Sequence, residues 1–87
     1  MPYIDEKSRA YLDNHESPVT AGELNYAVTR LVDDYLGDTP RYSNLNEIIG
    51  VLECAKLEIY RRLVSPYEDR KRSENGDVYR GRNLGQA

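Results

Sequence analysis

The chain has no phenylalanine, no tryptophan and a single cysteine, and each shortage narrows what it can be. With Cys54 alone, no disulfide forms within the chain, and one free thiol fits a reducing cytoplasm better than secretion. Cys54 and His15 are the only soft metal ligands, whereas a structural zinc usually takes four. No run approaches the roughly 18 apolar residues of a membrane helix. The opening MPYIDEKSRAYL lacks the apolar core of a signal peptide. No P-loop, GxGxxG, GxSxG or HExxH pattern occurs, and no cofactor is expected. The expectation is a cytoplasmic protein.

A strong charge of one sign is missing too. The net charge is −3. Residues 1–40 carry Lys7, Arg9 and Arg30 against eight acids, and residues 41–87 carry nine bases against seven acids. The second balance is too weak for a duplex DNA binder, which presents a strongly basic face. It leaves room for a local pocket for a small anion.

What is present is 87 residues, enough for one domain, taken here as residues 1–79. Chains of this size bury only roughly 60–65 % of their unfolded surface. A lone core is therefore marginal, and association of copies is a common remedy. The aromatic content is eight tyrosines, each an apolar ring with a hydroxyl that needs a partner.

The pattern predicts an all-α fold. Asp5 to Leu12 reads as a short helix docked by Ile4 and Leu12, and Asn14 to Val19 as a loop holding His15. Thr20 with Glu23 matches a capping box. Leu24, Val28, Leu31 and Tyr35 then recur at helical spacing, and Gly37 is a natural terminator, which places a helix over 21–36. A short link and a cap at Ser43 or Asn44 lead to a second helix over 45–64, expected to fold back as a hairpin.

That second helix is apolar on two sides. Leu45, Ile48, Ile49, Leu52, Ile59 and Leu63 form one stripe. Gly50, Cys54, Leu57 and Val64 form another on nearly the opposite side, expected to meet another copy of the chain. Lys56 falls inside the first stripe, with a snorkelling stem as the ordinary account. Ser65, Pro66 and Glu68 resemble a helix start, so a kink or capped restart is expected there, with helix over 65–73. Asn75-Gly76 signals a turn, and residues 80–87 read as a disordered tail.

The chemistry in view is binding. Cys54 has no histidine placed to activate it and reads as a buried structural thiol. Glu53 and Glu58 point to different sides of one helix, which disfavours a metal-dependent hydrolase. Arginine makes paired, charged hydrogen bonds to phosphate, and tyrosine offers a face for a base to stack on. Arg30, Lys56, Arg61 and Arg62 are therefore the expected phosphate ligands, and Tyr26, Tyr60 and Tyr67 the stacking residues. Asn75, Asp77 and Tyr79 would close such a pocket from a neighbouring chain. Ordinary salt bridges, such as Glu58 to Arg62 four residues on, are the competing account.

The segments LNYAVTRLVDDYLGD, LNEIIGVLECAKLEIYRRLVSPYEDRK and ENGDVY resemble a family of small proteins of tailed phages and prophages, over about residues 20–79. That resemblance implies a phage context, hence a host cytoplasm, and no assigned enzymatic activity. A looser similarity, of size, helix plan and Tyr/Arg content, is to phage sponge proteins, helical homo-oligomers that sequester nucleotide signals of bacterial immunity. It implies a homo-oligomer holding an anionic nucleotide between protomers. The alternatives are a protein-interaction module or minor assembly factor, and thirdly a nucleotide hydrolase.

Overall fold

The computed structural model describes residues 1–83 and Gly85. Among these residues it is helical and without strands: α1 (Glu6–Asp13), α2 (Ala21–Leu36), α3 (Tyr42–Ile59), a π-helical turn (Tyr60–Val64) and α4 (Ser65–Asn75). The all-α expectation holds. The expected tail over 80–87 falls in part on positions 84, 86 and 87, which lie outside the described residues. The chain divides into two units, Met1–Ile48 and Ile49–Ala87.

In the first unit, local hydrogen bonds set each helix end. Asp5 caps α1 instead of joining its first turn: its carboxylate accepts the Ser8 N–H at 2.8 Å. That bond holds the Asp5 carboxyl below its ordinary pKa. Thr20 caps α2 as expected, while Glu23 reaches back to Val19, one residue beyond the cap, instead of to the Thr20 N–H. Thr20 Oγ1 accepts the Glu23 N–H at 3.1 Å, and Glu23 Oε1 accepts the Val19 N–H at 2.8 Å. Gly37 ends α2 at φ +66, a conformation costly for residues with a Cβ. The ends of α2 match the expected ones.

α1 packs on α2 and buries Leu12. Gly22 lets the N-terminal segment lie against the first turn of α2. A Cβ there would meet Ile4 Cγ2 at 3.2 Å and the Met1 carbonyl oxygen at 3.5 Å. α3 starts three residues before the expected Leu45. Asn44, one of the two expected caps, sits inside the first turn, and its Oδ1 accepts the Arg41 N–H at 2.9 Å. Ile48, in the early part of α3, is the other buried apolar residue.

In the second unit no described residue is buried, and only Val64 and Ser65 are partly covered. Cys54, expected to be buried, is exposed. The stripe expected to face a partner helix is exposed as well, with Ile49 at 66 % and Ile59 at 54 %.

The expected kink at Pro66 takes another form. Ser65 is helical (φ −60, ψ −47) and makes no side-chain cap. The helix is not broken: the Ser65 N–H donates to the Tyr60 carbonyl, five residues back, in a π turn. Pro66 explains it. A proline in a regular helix drives its ring into the carbonyl four residues earlier, here that of Arg62. One extra residue in the preceding turn relieves that clash. It also turns later residues by roughly 100° against the regular helix. By that rotation Val64 is expected to fall off the line of Gly50, Cys54 and Leu57. Pro66→Ala is expected to restore regular helix and stabilise it by up to about 3 kcal/mol. The check is amide exchange and carbonyl shifts at Tyr60 and Arg61. A π turn that survives the substitution would show that proline is not its cause.

Candidate functional site

Of the residues expected to bind a ligand, Tyr26 and Arg30 lie in the first unit and the rest in the second. The docking of α1 on α2 brings Asp13 to both of them. The Tyr26 hydroxyl donates to Asp13 Oδ1 at 2.9 Å, and Arg30 Nε stands 3.7 Å from the same oxygen. Arg30 also meets Asp33 at 3.7 Å and Asp34 at 3.5 Å. Partial burial, then the bond to Asp13, push the Tyr26 hydroxyl above its ordinary pKa. Asp13, Tyr26, Arg30 and Asp34 line an open groove of about 370 Å³, together with His15, Glu16 and Leu31. His15 is the one described non-glycine residue with positive φ, at +65, just past the end of α1.

The groove is acidic. Arg30 is its one fixed positive charge, and three carboxylates surround that charge. An incoming phosphate meets those carboxylates as well as the guanidinium, which weakens Arg30 as an anion ligand. Asp13 was not legible as a member of this cluster, because it joins it only through the packing of a separate helix.

In the second unit the expected basic ligands are each paired one turn away. Lys56 Nζ lies 3.3 Å from Glu53. Arg61 donates to Glu58 at 2.7 Å, and Arg62 stands 3.7 Å from the same carboxylate. These pairs are solvent-exposed and contribute about 0.2–1 kcal/mol each, so a ligand can displace them. Tyr67 has the Arg70 and Lys71 cations 5.8 Å from its ring centre. Tyr60 stands exposed at the start of the π turn. Asn75 is the last residue of α4, and Gly76 ends it at φ +89. Asp77 Oδ1 accepts the Tyr79 N–H at 3.0 Å, a local turn that leaves the Tyr79 ring exposed.

Gly50, Cys54 and Leu57 are exposed, and nothing lies within 4 Å of a Cβ built on Gly50. No group of three or more His, Cys, Asp or Glu side chains placed to hold a metal ion occurs among the described residues. No helix among them is long and apolar enough to cross a membrane.

What dominates the second unit is uncovered apolar surface. Ile49, Leu52, Ile59, Tyr60 and Leu63 are all exposed along one helical run. A helix with an apolar stripe is stabilised mainly by whatever covers that stripe, since isolated helices are marginal in water.

No curated protein and no solved structure matches the chain. A family model described as a domain of unknown function (DUF6899) matches residues 1–78, from the N-terminal segment and α1 to just past α4. With nearly the whole chain matched, the protein belongs to the DUF6899 family.

Proposed function

We propose that the chain is a self-associating helical interaction module, phage-associated and working in the host cytoplasm, whose long helix is completed by association. One observation carries this reading: from Ile49 onward no described residue is buried, although the helix there presents Ile49, Leu52, Ile59 and Leu63 to solvent. Each such side chain gains about 1.5–3 kcal/mol when fully covered. A 10.0 kDa chain with so thin a core has its largest available stabilisation in association. Light scattering at micromolar concentration should return at least twice the chain mass. A monomer with intact helicity would end this reading.

A second reading, sequestration of an anionic nucleotide between copies, has one observation in its favour. Tyr67 presents a half-exposed ring flanked by Arg70 and Lys71, an aromatic face with cations beside it. Calorimetry against cyclic dinucleotides and ADP-ribose derivatives tests it, and Tyr67→Ala should abolish whatever binding is found. No heat with any of these ligands would remove it.

A further inference from the structure

The face of α3 that carries Ile49, Leu52, Lys56 and Ile59 is symmetric along the chain. Ile49 and Ile59 stand five residues either side of Cys54, and Leu52 and Lys56 two residues either side. At about 100° per residue all four lie on the side opposite Cys54. In the sequence the same symmetry extends to Leu45 and Leu63, nine residues either side. A face whose apolar pairs Ile49/Ile59 and Leu45/Leu63 mirror one another, with Leu52 against Lys56 as the one unlike pair, suits a partner running the other way.

We infer that a second copy of this chain docks antiparallel on this face, about a two-fold axis level with Cys54. This rests on the self-association proposed above and specifies its geometry. In that arrangement Ile49 shares a layer with Ile59 of the second copy, and Leu52 with Lys56 of the second copy, as facing positions do in antiparallel coiled coils. Charge decides the direction. Lys56 lies 3.3 Å from Glu53 in its own chain. Antiparallel pairing also brings Lys56 within about 1.5 Å, along the helix axis, of the level of Glu53 in the second copy. Two lysines and two glutamates then alternate around the axis. Parallel pairing in register would instead set the two Lys56 ammonium groups in one layer, like charge against like. The lysine in the apolar stripe becomes the residue that selects the direction, a role a lone polar core residue serves in coiled coils. Cys54, Gly50 and Leu57 point away from this seam.

Disulfide trapping tests the pairing. In a Cys54→Ser background, Ile49→Cys and Ile59→Cys chains are mixed and oxidised in air. A covalent dimer is expected in the mixture and in neither variant alone. Like positions would lie about 15 Å apart along the axis, beyond the roughly 7 Å between Cα atoms that a disulfide spans. Covalent dimers within each variant alone would overturn the proposal in favour of parallel pairing. An oligomer that forms no bond in any sample would overturn it while leaving self-association standing, whereas a monomeric unsubstituted chain would remove both. Lys56→Glu supplies an independent reading. Four carboxylates would then surround the axis, and association should weaken at least tenfold. Adding Glu53→Lys should restore it. Unchanged association in Lys56→Glu would also sink the antiparallel arrangement.

Discussion

Leu52→Asp combined with Ile59→Asp is expected to leave a monomer that has lost most of its helix beyond Ile49. Both side chains are exposed in the single chain, at 40 % and 54 %, so neither change opens a cavity in it. The loss is expected in the proposed self-association. Two copies contribute four such side chains, each with about half its surface left to cover, so at about 1.5–3 kcal/mol for full burial the seam forfeits about 3–6 kcal/mol. That is a large share of the stability of an ordinary domain, about 5–15 kcal/mol. Burying aspartates there would only add to the cost. The isolated helix that remains is marginal in water. Light scattering should read the chain mass, and circular dichroism should show helix lost from the second unit. Leu57→Asp is the control: it lies on the far side of α3, and the oligomer should survive it. Loss of assembly in that variant alone would move the interface to the face of Gly50 and Cys54.

The second large effect belongs to the first unit. Leu12 is 7 % exposed, and Ile48 is the only other buried apolar residue among those described. Leu12→Ala should cost about 2–5 kcal/mol, a large share of what so thin a core supplies. α1 is then expected to leave α2 and to carry Asp13 away from Tyr26 and Arg30. This has a signature beyond a lower melting point. The Tyr26 hydroxyl loses both its cover and its acceptor, so its raised pKa should fall back to the ordinary value near about 10. A residue-resolved NMR titration of the Tyr26 ring carbons reads that directly. A Tyr26 titration unchanged in Leu12→Ala would mean that α1 is not what shapes the groove.

The features legible in the sequence were those written within a few residues of one another. The Thr20 cap and Gly37 set the ends of α2 as expected, and Gly76 ends α4 two residues beyond the expected limit. Where several local solutions compete, the letters alone do not select one. Ser43 and Asn44 both suit a cap, yet Asn44 serves the Arg41 N–H from inside the first turn. Ser65-Pro66 has the letters of a helix start, but the preceding helix was already formed, and one inserted residue costs less than breaking it. The groove was legible only by half. Tyr26 and Arg30 share a helix face four residues apart, whereas Asp13 reaches them from another helix, and no spacing rule spans that distance. The two stripes on α3 were visible as a pattern, but amphipathic spacing does not say which stripe is covered.

Under the proposed self-association, the uncovered helix from Ile49 onward would tie the protein's persistence to its abundance. Contacts made between sequence neighbours form quickly, and a lone helix of this length forms and melts within about a microsecond. Joining a second copy is slower and depends on concentration. When copies are scarce, the segment spends more time open, and proteases act on the open population. When copies are plentiful, each shields the other, as any partner that binds only the folded form does. Turnover would then be fast at low expression and slow at high expression, so that a burst of synthesis outlasts a trickle of the same total amount.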